Sequence, residues 1–258
     1  MINLFSTKQI LVIDIAGTIS TRSQFRNGYN HYEVISQLMK AAEDKNIAAV
    51  LLRVNSPGGT AGASWELYAT IRSLALKKPV YVYISDVCCS GAYLAIAASS
   101  HIYSSLMANI GSIGVFMQIP NIEDLAGKIG VKMSTVKSSS FKDIGNPFRS
   151  MTVEERRYIQ EQVDCDYASF KDIVLRHRQQ ITNPDYVCDG KFFTGRDAED
   201  LGLVDVIGTF SDTLNTLKKV TGAEKVSYAS QPKGISKLLS KLNGGLQVNL
   251  SIPDLFKG

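Results

Sequence analysis

The sequence has 258 residues, of which 45% are hydrophobic and 20% are charged, a composition that excludes a disordered or fibrous chain. The 28 basic and 24 acidic side chains leave a formal net charge of +4. Because the lysines and arginines are spread along the chain and form no basic stripe, we expect no nucleic-acid partner. The sequence contains no internal repeat and no low-complexity linker, which favours one domain at this length.

Strands alternate with helices along the first 136 residues. Apolar runs predict strands over 10–15, 48–54, 80–84, 101–104 and 132–136, and their near-continuous apolar character is typical of strands covered on both faces. Helical spacing of apolar residues predicts helices over 31–45, 63–76 and 122–129. The small apolar run over 92–98 predicts a further helix that begins at Ser90. This alternation implies right-handed crossovers and a parallel sheet.

The second half of the chain is mainly helical. Thr152 and Glu155 have the spacing of a capping box, which predicts the start of the longest helix, out to about residue 180. Thr194 is expected to cap another helix, which Gly202 ends before a strand over 203–207. We therefore predict a single domain over residues 1–230.

Residues 231–258 form a tail of different character. Apolar side chains fall on one face of a predicted helix and lysines on the other. Such a basic amphipathic helix suits a membrane surface, a neighbouring subunit or the chain's own domain, and the pattern alone leaves these three alternatives open.

Cysteines and apolar segments indicate the compartment and the cofactors. The four cysteines have neither metal-ligand spacing nor the pattern of a disulfide framework, so we expect a reducing compartment, no metal and no cofactor. The sequence shows no signal peptide and no apolar stretch of membrane-spanning length. We expect a protein that is cytoplasmic or peripherally associated with a membrane.

Ser90 is the candidate nucleophile. It lies between a predicted strand and a predicted helix, and Gly91 follows it. A strand end holds a hydroxyl rigidly, and glycine lets backbone and substrate approach closely. Upstream, the turn over 55–59 (Asn-Ser-Pro-Gly-Gly) closes another strand, and its amides could point at a developing oxyanion.

Lys142 is the candidate general base. None of the three histidines has the sequence order relative to Ser90 that a familiar catalytic arrangement would require. All three also lie within predicted helices or strands. A lysine accepts a proton only when it is neutral, and burial in an apolar pocket must lower a lysine pKa from about 10.4 toward about 7. A salt bridge to the adjacent Asp143 would oppose this, so we expect the Asp143 side chain to point away.

Seven short motifs follow one another between residues 10 and 208. They lie at 13–19, 52–59, 90–93, 111–115, 141–149, 151–152 and 194–205. In this order they resemble the signal peptide peptidase family, the SppA-like serine–lysine peptidases of family S49. The resemblance implies an α/β fold of the ClpP/crotonase type, a spiral of βα units with a mainly parallel sheet.

The resemblance also implies roles for individual residues. Ser90 corresponds to the nucleophile, Lys142 to the general base and Ser112 to the serine that orients the lysine. The oxyanion donors correspond to the backbone amides of Gly59 and Gly91. Family members assemble into rings with interior active sites, so we expect a homo-oligomer.

The expected substrates are short or unfolded apolar peptides, such as cleaved signal peptides. Ala92, Tyr93 and Ile113 are expected to line a modest pocket for small or apolar side chains. Family members usually have an N-terminal membrane helix, whereas the first predicted strand here starts at residue 10. Ala92 also stands where glycine is common, and Cys88 and Cys89 replace small residues.

Three alternatives remain open. A crotonase-type acyl-CoA enzyme also uses oxyanion amides on this fold, but it needs acidic residues over the thioester, and no acidic pair lies near Gly58 and Gly59. The chain could instead be a catalytically silent ring-forming scaffold. Cys89 is a rival nucleophile, although no histidine is near it in sequence.

Overall fold

Eight strands form one sheet in the computed structural model, which describes residues 8–21 and 30–229. The strands are β1 (Gln9–Ala16), β2 (Ile47–Ser56), β3 (Val80–Cys89), β4 (His101–Ser104), β5 (Asn109–Gly111), β6 (Phe192–Thr194), β7 (Val206–Ile207) and β8 (Lys225–Tyr228). Their order is β6-β5-β3-β2-β1-β8, and β4 joins β3 to β7. All these pairs are parallel except β5 with β6, so the predicted mainly parallel sheet is confirmed.

Eight helices accompany these strands within the described residues. They are α1 (His31–Glu43), α2 (Ala61–Ala75), α3 (Gly91–Ile96), α4 (Glu123–Lys128), α5 (Val153–His177), α6 (Pro184–Val187), α7 (Gly195–Asp200) and α8 (Phe210–Thr221). The capping box of α5 is confirmed, since the Glu155 amide donates to Thr152 Oγ1 at 3.1 Å and the Thr152 amide donates to Glu155 Oε2 at 2.9 Å.

The sheet is buried on both faces, as its apolar strands predict. Successive side chains of a strand point to opposite faces, and along β2 Leu52 and Val54 join the cluster that contains α1, α2 and α3. Leu51 instead packs with Leu217 of α8 on the other face. The sheet is therefore a central layer with α1, α2 and α3 on one face and α8 on the other.

Strand β3 is split between two partners, and this positions the site. Its first half, 81–84, pairs with β4, whereas 87–89 pairs with β5. Its register against β2 also shifts between Val54 and Ser56. The strand therefore bends before it ends at Ser90, next to the turn that follows β2.

Some predicted elements differ from the structure. Residues 132–136 form no strand, because no strand lies beside them in the described chain and Val136 is 98% exposed. The predicted strand over 203–207 is reduced to Val206–Ile207. The sequence prediction did not include β5, β6, β8 or α8. The predicted tail helix over 231–258 lies outside the described residues.

Candidate active site

Ser90 occupies a strained turn between β3 and α3. Its φ of 52° and ψ of −126° lie where residues with a side chain are rarely found. Its amide donates to the Gly111 carbonyl at 2.7 Å, and its carbonyl accepts from the Leu94 amide at 3.1 Å. Surrounding structure must enforce such a conformation, and strain of this kind is concentrated at functional sites.

The turn after β2 touches the turn at Ser90. Gly58 has a φ of +101°, and a Cβ on it would lie 2.7 Å from the Cys89 carbonyl oxygen. A Cβ on Gly91 would lie 3.3 Å from the Gly59 nitrogen. The backbone amides of Gly59 and Gly91 are thus neighbours, as expected for carboxyl ends of adjacent parallel strands.

Both amides are available to a ligand. Two hydrogen bonds form the β-bridge between Ile19 and Gly59. The Ile19 amide donates to the Gly58 carbonyl at 2.8 Å, and the Thr60 amide donates to the Ile19 carbonyl at 2.9 Å. Within the described chain the Gly59 amide donates no hydrogen bond. Gly91 is the first residue of α3, where an amide has no partner inside the helix. Two adjacent free N–H groups can stabilise an oxyanion.

Gly59→Ala is expected to destabilise this turn, whereas Gly62→Ala should not. The new Cβ would lie 1.8 Å from the Ile19 carbonyl oxygen, but a Cβ on Gly62 in α2 meets nothing within 4 Å. We expect Gly59→Ala to lower the free energy of unfolding by about 1–3 kcal/mol and Gly62→Ala to raise it by about 0.5–1 kcal/mol, through helix propensity. Denaturant titration of both variants tests this, and equal stabilities would contradict the close contact at Gly59.

A cavity of about 580 Å³ opens at these two turns. Ser90, Gly59 and Gly91 line it. Its other walls come from α2, from Leu94 of α3, from α5 and from the segment after Ser112, and most of their side chains are apolar, although Asp166 of α5 also lines the cavity. These apolar side chains are Trp65, Leu94, Val115, Phe116, Met117, Val163, Phe170 and Ile173.

The three residues expected to form the substrate pocket lie elsewhere. Ala92, Tyr93 and Ile113 are fully buried in the core and do not line this cavity. The Tyr93 hydroxyl donates to the Leu203 carbonyl at 2.8 Å, and burial raises the pKa of Tyr93 well above its ordinary value. The sequence analysis relied on the closeness of Ala92 and Tyr93 to the candidate nucleophile, and it did not predict that all six residues of α3 are buried.

The actual cavity walls were missed by the sequence analysis. A signal for them exists in α5, where Val163, Phe170 and Ile173 recur at helical spacing. The exposed Trp65 and Phe116 at the cavity gave no such signal, because single aromatic residues are usually assigned to the core.

Ser112 lies beside Ser90 through the backbone. It directly follows Gly111, whose carbonyl accepts the Ser90 amide, and its own amide donates to the Lys191 carbonyl at 2.6 Å. Its φ is 49°, so both serines have a positive φ. The two β3–β5 strand ends therefore bring the candidate nucleophile and Ser112 together.

Ser64 was not singled out by the sequence, although it borders the oxyanion turn. Its hydroxyl is buried and has no hydrogen-bond partner among the described residues. It would lie 2.1 Å from a Cβ on Gly91. A side chain at position 91 would therefore require the buried Ser64 side chain to move.

The cysteines are poorly suited to nucleophilic attack. Burial raises the pKa of the Cys89 thiol, and it raises that of Cys88 further. The Cys89 thiol also donates to the Asn109 carbonyl at 3.4 Å. Since the thiolate is the attacking form, these shifts favour Ser90 over Cys89.

The histidines are engaged away from the cavity. His31 Nε2 lies 2.7 Å from Glu66 Oε2, and His177 Nε2 lies 2.9 Å from the Tyr68 hydroxyl. His101 makes tilted ring contacts with Tyr81 and Tyr103, each with ring centroids 5.4 Å apart. None of the three lines the cavity, so one chain offers Ser90 no imidazole base there.

Lys142 is exposed and is not among the residues that line the cavity. The neighbouring Asp143 carboxylate binds Lys137 and Arg149. The structure thus brings together Ser90, the free amides of Gly59 and Gly91 and the backbone of Ser112, but neither Ser112 nor Lys142 is among the residues that line the cavity.

Comparison with known proteins identifies the family. The model of peptidase family S49 matches residues 72–224, a range that contains Ser90, Ser112 and Lys142. A relative from Methanocaldococcus jannaschii, provisionally named a protease, is 38% identical over 217 residues, which are 82% of this chain and 70% of that protein. The chain belongs to peptidase family S49.

Other S49 relatives agree with this assignment. Protease 4 of Haemophilus influenzae is 30% identical over 82% of this chain and 35% of its own length. The chloroplastic serine protease SPPA of Arabidopsis thaliana is 30% identical over 72% of this chain and 28% of its own length. The protein is therefore a peptidase of the SppA type, which argues against the acyl-CoA alternative.

Solved structures confirm the ClpP/crotonase-like α/β fold. A mutant of a membrane-bound stomatin-specific protease superposes with a TM-score of 0.55 and 13% identity, covering 87% of this chain and 99% of that one. A second mutant of that protease, in complex with a substrate peptide, gives a TM-score of 0.54 and 15% identity over 92% of this chain and 99% of that one.

Two further findings concern the described residues alone. Over 8–21 and 30–229, no group of three or more side chains is arranged to hold a metal ion. In the same ranges, no helix combines the length and the apolar character that crossing a membrane requires.

Proposed function

We propose that this S49 peptidase is a serine endopeptidase in which Ser90 is the nucleophile and Lys142 the general base. One observation supports it most strongly. The strained Ser90 turn and the free amides of Gly59 and Gly91 line the same cavity. This arrangement is what acyl transfer requires, namely a rigidly held hydroxyl beside two donors for the developing oxyanion.

The reaction proceeds in two acyl-transfer steps. Ser90 Oγ attacks the peptide carbonyl carbon and gives its proton to the neutral Lys142 amine. The tetrahedral oxyanion accepts hydrogen bonds from Gly59 and Gly91. The intermediate then collapses, the lysine ammonium protonates the departing amine, and an ester remains on Ser90. Water, deprotonated by Lys142, attacks this ester, the acyl–Oγ bond breaks, and the lysine ammonium returns the proton to Ser90 Oγ as the carboxylic acid leaves.

Lys142 reaches the nucleophile from a neighbouring copy in this proposal. In the single chain Lys142 is exposed and does not line the Ser90 cavity. The segment that contains it also exposes apolar side chains, namely Phe116, Leu125, Ile129, Val131, Met133, Val136 and Phe141. Large exposed apolar patches usually mark protein interfaces, so we propose that a homo-oligomeric ring covers this segment.

Assembly would also create the environment that the chemistry needs. A lysine amine becomes neutral near pH 7 only in a dry, apolar site. Ser112, beside the Ser90 backbone, can accept a hydrogen bond from the arriving amine without adding the negative charge that a carboxylate would bring. Enclosure in a ring would admit only short or unfolded chains.

Apolar peptides are the proposed substrates. The cavity walls contain Trp65, Phe116 and Met117, which can bury apolar side chains on either side of a scissile bond. A relative from Enterococcus faecium, 35% identical over 90% of this chain, has a name that denotes a signal peptide peptidase. Cleaved signal peptides, which are short and apolar, fit this cavity.

A proteome-derived peptide library tests the proposed function. We expect the full chain to cleave peptides with apolar residues flanking the new termini, and we expect the Ser90→Ala protein to cleave none. Mass spectrometry of the products gives both results. A wild-type assembly that leaves the library intact would favour the silent scaffold, and equal cleavage by both proteins would refute the role of Ser90.

A further inference from the structure

The carboxylate next to the proposed base is fully engaged by two cations. Asp143 Oδ1 accepts from Lys137 Nζ at 2.6 Å and from Arg149 Nη2 at 2.8 Å, and Oδ2 accepts from Arg149 Nε at 2.9 Å. The guanidinium therefore binds both oxygens, which is the most directional geometry for such a pair. Among the described residues no ion pair joins this carboxylate to Lys142, although the two residues are adjacent in sequence.

Arg149 is itself fixed by a second carboxylate. Its Nη1 donates to Glu155 Oε2 at 2.8 Å, and Glu155 is only 3% exposed. The same Glu155 oxygen accepts the Thr152 amide in the capping box of α5. Arg149 thus connects the Lys142 loop to the start of a 25-residue helix.

We infer that Arg149, assisted by Lys137, is a positioning residue that keeps the Asp143 carboxylate away from the Lys142 amine. The inference rests on the proposed function. A carboxylate within about 4–6 Å of an amine favours the charged form and raises its pKa by about 1–3 units. An Asp143 side chain free to rotate toward Lys142 would therefore keep the base protonated near neutral pH.

The network does not titrate in the range where a peptidase is assayed. Hydrogen bonds from Arg149 and Lys137 hold the pKa of Asp143 well below its ordinary value, and Arg149 lowers the pKa of Glu155 to about 2. Because both pKa values are depressed, the stabilisation is present above the ordinary carboxyl pKa and is lost only in acid. In the wild-type network neither carboxylate therefore changes its charge near neutral pH.

The pH profile of kcat/KM distinguishes positioning from a general structural role. In Arg149→Met we expect the acid limb of this profile to move about one pH unit higher, which lowers kcat/KM roughly 10-fold at pH 7. At high pH kcat/KM should return to the wild-type value. In Arg149→Met with Asp143→Asn, the limb should return to its wild-type position, because no carboxylate remains to pair with Lys142. Arg149→Lys should shift the limb less than Arg149→Met.

Other outcomes overturn the inference. A loss by the same factor at every pH would show that Arg149 is only structural, and so would a limb that stays shifted in the double variant. If Arg149→Met does not fold, the pH profiles of Lys137→Met and Asp143→Asn test the inference instead. The first should shift the limb upward by a smaller amount, and the second should leave its position unchanged. A downward shift in Asp143→Asn would mean that the carboxylate already contacts Lys142.

Failure of this inference is separable from failure of the proposed function. If Lys142→Ala keeps wild-type activity, the base assignment is wrong, whatever Arg149 does. If Lys142→Ala is inactive but the Arg149→Met profile matches that of the wild type, the dyad stands and the positioning role fails.

Discussion

Replacing Ser90 with alanine or glycine is expected to abolish peptide hydrolysis and to leave two proteins of different stability. Without the hydroxyl no acyl-enzyme forms, and we expect activity to fall at least about 10⁴-fold in both. Alanine keeps the positive φ of 52° at position 90, a strain of about 1–3 kcal/mol. Glycine relieves this strain. Because it has more conformational freedom in the unfolded chain, it also lowers the free energy of unfolding by about 0.5–1 kcal/mol. Ser90→Gly should therefore be more stable than Ser90→Ala by about 1 kcal/mol.

Thermal or denaturant unfolding of the two variants measures this difference, and peptide hydrolysis measures the loss. Ser112→Gly is a matched comparison, because Ser112 also has a positive φ but lacks the nucleophile's role. It should gain similar stability and lose less activity. A Ser90→Gly protein that is less stable than Ser90→Ala would show that the turn is not strained. Wild-type activity in either variant would refute the role of Ser90 as the nucleophile.

Lys142→Ala and Lys142→Arg are both expected to lose about 10²–10⁴-fold in kcat, which is the usual contribution of a general base. Arginine keeps the positive charge and nearly the length of lysine, but it cannot lose its proton in a protein. Equal losses would therefore assign the effect to proton transfer. Initial rates on one apolar peptide at several pH values provide the measurement. A Lys142→Arg protein close to wild type would contradict a basic role for this residue.

Control variants for Lys142 lie in the same exposed segment. Lys128 ends α4, and Lys132 follows it. Alanine at either position changes the charge by the same amount as alanine at Lys142. Their hydrolysis rates should stay close to wild type, which separates a specific base from a general effect of charge.

Local patterns in the sequence predicted that Ser90 and the glycine turn at Gly59 belong to one site, and both line the same cavity. The strand end at Ser90 and the glycine turn at Gly59 depend on apolar runs and glycines a few residues away. Their proximity follows from the parallel pairing of β2 with β3. The capping box at Thr152 is equally local, and it was predicted correctly for the same reason.

Features that depend on distant contacts could not be predicted in this way. The cavity wall comes from α5, about 70 residues beyond Ser90 in sequence. Tyr93 was expected to face substrate, yet its hydroxyl bonds a carbonyl 110 residues away. The strands β5 and β6 have three residues each, and so short a run has too few positions to show a period.

The proposed position of the base depends on a contact between copies of the chain, which is of still longer range. Motif order identified Lys142 as a candidate, but a motif does not specify which copy of the chain supplies each residue. In one chain the exposed Lys142 segment has apolar side chains with no covering layer, and Val136 is the most exposed of them. The predicted strand over 132–136 does not form in one chain. This agrees with the proposal that the segment packs against another copy.

Mixed assemblies test most directly whether nucleophile and base meet only between copies. Ser90→Ala and Lys142→Ala chains, each inactive alone, would be co-expressed at equal amounts, and native mass spectrometry would verify that mixed oligomers form. In one of the two orders of unlike neighbours, an intact Ser90 meets an intact Lys142, so we predict recovery of about one quarter of wild-type activity for random mixing in a closed ring. Verified mixed oligomers that remain as inactive as their parents would contradict an active site shared between copies.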